Sequence, residues 1–282
     1  MSRILVVDDD RTTRHVLQGV LNNAGHAASV AKDGLEALQA LRAEAFELLL
    51  LDVWMPRMNG LELLAKLRSR KTRPRVVVMT SDDTPETLLK VVREQAFKYV
   101  HKPVHPPALL ETVRQVLESP DLPRIEVISA KPEWVELVVP CTREAAERIQ
   151  PVMSGLDASL PAEVRDSTAY AFRELLLNAI EWGGKLDPNR KVRITCVRTK
   201  RILMYRIADP GKGFDIENLP HAAISYPDSP AAHMDVREEK GLRPGGFGLL
   251  TVRASVDELI YNEKRNEVVF VKYLGDGDND KR

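Results

Sequence analysis

Three acids, a hydroxyl and an amine recur at the ends of short apolar runs in the first part of the chain. Asp8 and Asp9 follow Ile4–Val7, Asp52 follows Leu48–Leu51, Thr80 follows Val76–Met79, and Lys102 follows Tyr99–Val100. If the runs are parallel strands, these residues share the carboxyl edge of one sheet, where such sheets bind ligands. Carboxylates gathered there repel: a pair at ~4 Å costs about 1 kcal/mol in water and about 4 at an effective dielectric near 20. A divalent cation removes that cost. Mg²⁺ suits an all-oxygen donor set because it keeps waters for a phosphate-bearing partner. One carboxylate could then attack phosphorus, with Thr80 and Lys102 holding the phosphoryl oxygens. A lone Asp at a strand end is commonly a cap or loop residue, but four strand ends supply this set together.

A second group of residues lies in the other half. Glu174 and Asn178 are spaced i, i+4 in RELLLNAIEWGG and so share a helix face. They could supply a base and an amide ligand for Mg²⁺ to one cleft. Asp209-Pro210-Gly211-Lys212-Gly213-Phe214 follows an apolar run; its Asp can accept from an exocyclic amine such as that of adenine, and its glycines permit close backbone approach. Gly245-Gly246-Phe247-Gly248 opens a helical pattern, an arrangement suited to phosphate. Alone, each segment also fits a plain role: a solvated polar pair, a turn, a loop. Their order is the stronger signal.

The elements that must position these residues divide the chain in two. Residues 1–119 alternate apolar runs with helical periodicity, giving an α/β fold, a doubly wound (βα)₅ parallel sheet covered on both faces. Pro120 and Pro123 mark a linker, taken as 120–129. Residues 130–275 read as an α+β two-layer sandwich: a strand at Glu136–Val139, a helix capped by Thr142, and a long helix from Pro161 to about Trp182. Strands Val192–Val197 and Ile202–Ala208, a loop of about 30 residues, a helix Gly248–Asp257 and two last strands complete a mixed or antiparallel sheet. The tail 276–282 has the composition of a disordered end.

Composition excludes other classes. Lys+Arg and Asp+Glu are both 41 in 282 residues, which argues against a nucleic-acid binder. The basic stretch Lys66, Arg68, Arg70, Lys71, Arg73, Arg75 reads as a solvated face. No uncharged apolar run approaches the ~18 residues of a membrane span, and the N-terminus lacks a signal-peptide pattern. Cys141 and Cys196 lie in apolar contexts, as buried thiols of a cytoplasmic protein would. His15, His26, His221 and His233 read as ordinary polar residues.

Residues 2–118 resemble a response-regulator receiver domain through LVVDD, LLLLDVWMPRMNG, VVVMTS and YVHKP. The resemblance implies that Asp52 is the phosphoacceptor, that Asp8 and Asp9 bind Mg²⁺ with it, and that Thr80 and Lys102 sense the phosphoryl group. It makes Tyr99 the switch aromatic, and it implies a cognate sensor histidine kinase as phosphoryl donor. A departure is Glu94-Gln95-Ala96-Phe97-Lys98, where many receivers carry Gly-Ala.

The order Glu-x-x-x-Asn, Asp-x-Gly-x-Gly, Gly-x-Gly-Leu resembles the GHKL (histidine-kinase-like) ATPases. The form ELLLNAIE-x-G and the ending VDELIY are most similar to the anti-sigma-factor serine kinase branch. This implies Glu174 as catalytic base, Asn178 as Mg²⁺ ligand, Asp209 at adenine, Gly211 and Gly213 near ATP, Gly246 and Gly248 at its phosphates, and 215–244 as a lid. The implied output is serine/threonine kinase activity toward an anti-sigma-factor antagonist, or binding of a sigma factor or other signalling protein. Both resembled families commonly self-associate, which allows a homodimer. Trp182 stands where the family commonly has His, and Trp cannot titrate. A non-catalytic, nucleotide-gated binding module is therefore the alternative. A histidine-kinase-type enzyme needs a phosphoacceptor His before its ATP domain, and none lies between Pro120 and Glu174.

Overall fold

The structure is a computed structural model that describes residues 1–68, 73–82, 84–119, 124–213 and 248–275. The chain splits into two compact units, Met1–Leu122 and Pro123–Arg282.

In the first unit, strands β1 (Arg3–Val7), β2 (Ala27–Ala31), β3 (Leu48–Asp52), β4 (Arg75–Thr80) and β5 (Lys98–His101) alternate with helices. These are α1 (Arg11–Asn23), α2 (Gly34–Ala43), α3 (Gly60–Arg68), α4 (Pro85–Arg93) and α5 (Pro106–Glu118). The strands pair in parallel in the order β2-β1-β3-β4-β5. Side-chain alternation supplies both faces. Ile4, Val6, Leu48, Leu50, Val77 and Met79 pack with Leu17 and Leu21 of α1 and Leu109, Val113 and Val116 of α5. Leu5, Val7, Leu49, Leu51, Val76 and Val78 pack with Leu41 of α2, Leu63, Leu64 and Leu67 of α3 and Val91 of α4. Burial on both faces is why these strands are unbroken apolar runs rather than alternating ones.

The second unit is a six-stranded sheet in the order β10-β11-β9-β8-β7-β6. Its strands are β6 (Glu126–Lys131), β7 (Trp134–Pro140), β8 (Lys191–Arg198), β9 (Ile202–Ala208), β10 (Glu258–Tyr261) and β11 (Glu267–Tyr273). Every pairing is antiparallel, which settles the choice left open by the sequence. Strand β6 starts inside the stretch expected as linker, so the ordered unit begins earlier than 130. The helices are α6 (Arg143–Leu156), α7 (Ala162–Asn178) and α8 (Gly248–Ser255). Thr142 caps α6 by accepting from the Ala145 amide at 3.2 Å. Pro161 is the residue before α7 rather than its first helical position. Buried residues on alternate positions (Leu137 and Val139 of β7, Ile194 and Cys196 of β8, Leu203, Tyr205 and Ile207 of β9, Phe270 of β11) form the covered face. Tyr205 lies at its centre, with ring centroids 5.2 Å from Phe172 of α7 and 5.0 Å from Phe270.

The basic stretch differs from its sequence reading. Arg73 donates to the carbonyls of Glu94 and Gln95 at 3.1 and 2.7 Å. Arg75 donates to Val116 and to Leu117 (3.0 Å) and lies over the Phe97 ring. These arginines satisfy carbonyls past α4 and at the end of α5, where helices leave acceptors unpaired. They brace the fold rather than line a solvated face. Arg70 and Lys71 lie outside the described residues, as do the expected lid 215–244 with His221 and His233, Gly246, and the tail 276–282.

Candidate functional sites

The first site forms where β1, β3, β4 and β5 end. One carboxylate oxygen from each of Asp8, Asp9 and Asp52 lies within 4.8 Å of the others. Asp8 is fully buried, Asp52 nearly so, and Asp9 is exposed. Lys102 Nζ reaches both Asp8 Oδ2 and Asp52 Oδ2 at 2.7 Å. Burial raises the Asp52 carboxyl above its ordinary range, and neighbouring Asp8 adds to this, while Lys102 works against it. Burial alone would lower Lys102, but its hydrogen bonds to Asp52 and Asp8 raise it, so the ammonium stays charged. A compact set of hard oxygen donors with buried negative charge fits Mg²⁺. Thr80 is fully buried; its hydroxyl accepts from the Asp82 amide at 3.0 Å. Tyr99 on β5 packs against the α2–α4 face of the core.

Neighbours outside the sequence reading shape this edge. Arg14 of α1 donates to the Asp8 carbonyl at 2.6 Å. Asp33 is fully buried, caps α2 by accepting from Leu35 and Glu36, and pairs with Arg57 in the loop after Asp52. A side chain at Gly60 would run into the Asp52 carbonyl, so α3 starts hard against the end of β3. Trp54, half exposed, donates through its indole to Asp82 Oδ2 at 3.1 Å.

The second site forms at the C-terminal end of α7. Glu174 and Asn178 share a face, and the helix widens directly after Asn178 into a π-turn, Ala179–Gly183. Two remote segments meet it. A side chain at Gly248, the start of α8, would strike the Glu174 carboxylate. A Cβ at Gly183 would lie 2.6 Å from Asp209 Cβ, and one at Gly211 would lie 2.6 Å from Asp209 Oδ1. Only glycines leave room for that carboxylate. The Gly211 amide donates to Asp209 Oδ1 at 2.6 Å. Burial raises Asp209 above its ordinary range, against the Gly211 hydrogen bond and the charge of Arg190. The loop is braced by Arg190, which donates to the Pro210 carbonyl at 2.6 Å, and by Asn266, which donates to the Gly211 carbonyl at 3.2 Å. Gly213 adopts φ +85°, a left-handed conformation that favours glycine, against the Lys264 carbonyl. A half-buried acid held open by glycines at the π-turn that follows the Glu/Asn pair fits the base of a nucleotide. Gly246 lies outside the described residues.

Comparison with known proteins matches the two units to two families. The response regulator receiver domain family matches residues 4–114, and the histidine kinase-like ATPase domain family matches residues 128–272. Over 209 residues the chain is 32% identical to the DNA-binding response regulator MtrA of Mycobacterium tuberculosis, covering 74% of this chain and 89% of that one. The chain belongs to the response regulators. It joins a receiver domain to a histidine kinase-like ATPase domain.

Response regulator MprA of Mycobacterium ulcerans is 37% identical over 120 residues, covering 43% of this chain and 52% of that one. A CheY-like receiver structure from Methanospirillum hungatei is 30% identical, with a TM-score of 0.41, covering 42% of this chain and 94% of that one. In this response regulator the structure brings together Asp8, Asp9, Asp52 and Lys102 at one edge, and Glu174, Gly248, Asp209 and Gly211 around the end of α7. The braces Asp33–Arg57, Arg190 and Asn266 escaped the sequence because each acts on a residue far away in the chain. Gly183 and Gly184 carried a sequence signal, a glycine pair closing the Asn helix. No described helix is long and apolar enough to cross a membrane.

Proposed function

We propose that a partner sensor histidine kinase phosphorylates this response regulator on Asp52. The change in the receiver then controls an ATP-binding output that phosphorylates a serine or threonine of a partner, of the anti-sigma-factor antagonist kind, or captures a sigma factor. One observation supports the output reading: Gly248 seats against Glu174 while Asp209 seats against Gly183, so two segments remote in sequence meet the C-terminal end of α7 and its π-turn.

In the receiver, an Asp52 oxygen forms the new O–P bond as the P–N bond of the donor phosphohistidine breaks, and the imidazole leaves with that electron pair. Lys102, already between Asp8 and Asp52, donates to one phosphoryl oxygen, and Thr80 donates to another. Asp8, Asp9 and Asp52 would hold Mg²⁺, which supplies charge neutralisation as the phosphoryl group arrives. In the output, Asp209 accepts from the exocyclic amine of the base. Asn178 would offer its amide oxygen to Mg²⁺, and Glu174 would take the proton of the partner's hydroxyl. Gly211 and Gly213 would lie near the nucleotide, and Gly246 and Gly248 would serve its phosphates. We place this function in the cytoplasm, with self-association through either unit.

Labelling with acetyl phosphate is expected to modify the wild type, and Asp52→Asn is expected to abolish the label. Label that persists in that variant would move the phosphoacceptor elsewhere. With radiolabelled ATP and candidate anti-sigma antagonists, label should appear on a partner serine and fall at least a hundredfold in Glu174→Ala. A second reading, a nucleotide-gated binding module without transfer, draws on Trp182. It gains if ATP binds, partners bind, and no partner is labelled.

A further inference from the structure

We infer that Asn266, in the turn between β10 and β11, is the positioning residue that aims the Asp209 carboxylate at the exocyclic amine of the base and so sets a preference for adenine. This rests on the ATP-binding reading above and deepens it.

The loop after β9 has little of its own to fix its shape. Pro210 brings no N–H, and Gly211 and Gly213 bring no side chains. Its carbonyls are held by side chains from elsewhere: Arg190 donates to Pro210 at 2.6 Å, and Asn266 Nδ2 donates to Gly211 at 3.2 Å. Asn266 also grips the other end of the same tripeptide, because its backbone carbonyl accepts from the Asp209 amide at 2.9 Å. One residue therefore spans Asp209-Pro210-Gly211. The span matters because the Gly211 amide is what holds Asp209 Oδ1, at 2.6 Å. Fixing the Gly211 carbonyl fixes that neighbourhood, and with it the turn of the carboxylate. Oδ1 is then committed, and Oδ2 has no hydrogen-bond donor among the described residues. That second oxygen is the one left for the amine of a base.

Asn266 is itself held in register. Asn262 Nδ2 donates to Asn266 Oδ1 at 2.9 Å, which leaves Asn266 Nδ2 for Gly211. Asn262 Oδ1 accepts from the Asn266 and Glu267 amides at 3.1 and 3.2 Å. Arg265, at φ 55°, closes the turn, its amide donating to the Asn262 carbonyl at 3.0 Å. The Lys264 carbonyl occupies the place a side chain on Gly213 would need. The turn thus meets the loop at three of its residues: Asp209 and Gly211 through Asn266, and Gly213 through Lys264. Only a side-chain amide accepts from Asn262 with one atom and donates to Gly211 with the other.

The test uses the full chain and measures binding rather than turnover. Calorimetry compares adenosine, inosine and inorganic pyrophosphate in wild type, Asn266→Ala and Asn262→Ala. Inosine carries a carbonyl where adenosine carries the amine, so the ratio of their dissociation constants reads the aim of Asp209. A variant that merely loosens the fold lowers the binding-competent fraction, weakens both nucleosides by one factor, and leaves the ratio alone. The wild type is expected to prefer adenosine about a hundredfold or more. Asn266→Ala is expected to narrow that ratio about three- to tenfold, with pyrophosphate binding as in the wild type. Asn262→Ala leaves the Asn266 amide in place but unsteadied, and should narrow the ratio by a smaller factor. An unchanged ratio in Asn266→Ala would overturn the positioning role, whether or not the melting temperature falls. So would a loss of pyrophosphate affinity equal to the loss for adenosine. A wild type that binds neither adenosine nor Mg·ADP would instead overturn the nucleotide reading itself.

Discussion

At the scale of single residues, the buried acid with the least support lies outside both sites. Asp157 follows α6 and is 2% exposed. The Tyr205 hydroxyl donates to its Oδ2 at 2.9 Å, while Oδ1 has no hydrogen-bond partner among the described residues. Cys196 and Tyr205 face it from the sheet, and the Arg198 guanidinium lies close enough to oppose the effect of burial. Burial pushes its carboxyl up to about 6. The folded state thus holds this proton more tightly than the unfolded chain, whose carboxyl titrates near 3.9. Between those values the native state binds more protons, so the contribution of Asp157 to stability falls as pH rises and is fully unfavourable above about pH 6. The full shift corresponds to about 3 kcal/mol. Asp157→Asn keeps an oxygen for Tyr205 but leaves an amide N–H unpaired, so a net gain of about 1–2 kcal/mol is expected at pH 7.5. That gain should vanish near pH 4. Urea denaturation at several pH values checks this; a difference between variant and wild type that stays constant with pH would contradict it.

At the scale of elements, the loop after Asp52 is held from two sides. Arg57 sits at φ 67°, in the left-handed region, and still spans from the loop to Asp33 at the start of α2. The Gly34 amide donates to the Met58 carbonyl at 3.1 Å, joining the same two segments. Removing Arg57 leaves the buried Asp33 with its two cap amides and no ion-pair partner among the described residues. Arg57 is itself half exposed, so Arg57→Ala should cost about 1–2 kcal/mol rather than the larger penalty of a buried pair. Slower labelling by acetyl phosphate should accompany it, because the loop runs from Asp52 to Gly60; an unchanged rate with lowered stability would confine the pair to folding. The elements differ in how far the sequence disclosed them. Strand β3 is four leucines and an Asp, and burial on both faces makes such a run hard to mistake. Strand β6, EVISAK, pairs on one side only, with its register shifting between Val127 and Ser129 and Ile128 left half exposed. Next to a proline-marked stretch it reads as linker. The π-turn at Ala179–Gly183 has no composition of its own, since AIEWG would continue an α-helix equally well. Gln95 takes φ 59°, the conformation a glycine favours, so the departure from Gly-Ala changed the residue and kept the turn.

At the scale of the whole molecule, the response regulator carries its two candidate phosphate-handling sites in units that are each compact by themselves. Control of one by the other is a coupling free energy, and it is reciprocal: if occupancy at Asp52 changes nucleotide affinity by some factor, nucleotide must change the affinity at Asp52 by the same factor. Regulatory couplings of this kind are typically about 1–3 kcal/mol, or about 5- to 150-fold. Beryllofluoride with Mg²⁺ mimics the acyl phosphate and binds reversibly, so both halves of the cycle are measurable by calorimetry. The expected outcome is a change in the ADP dissociation constant of about fivefold or more when beryllofluoride is present. The beryllofluoride constant should shift by an equal factor when ADP is present, and neither shift should occur in Asp52→Asn. The Asn178→Ala variant should lose the ADP arm while binding beryllofluoride as the wild type does. Equal ADP affinities with and without beryllofluoride would mean that the receiver acts on the partner instead of on the nucleotide site, and the control step would then have to lie in the ternary complex.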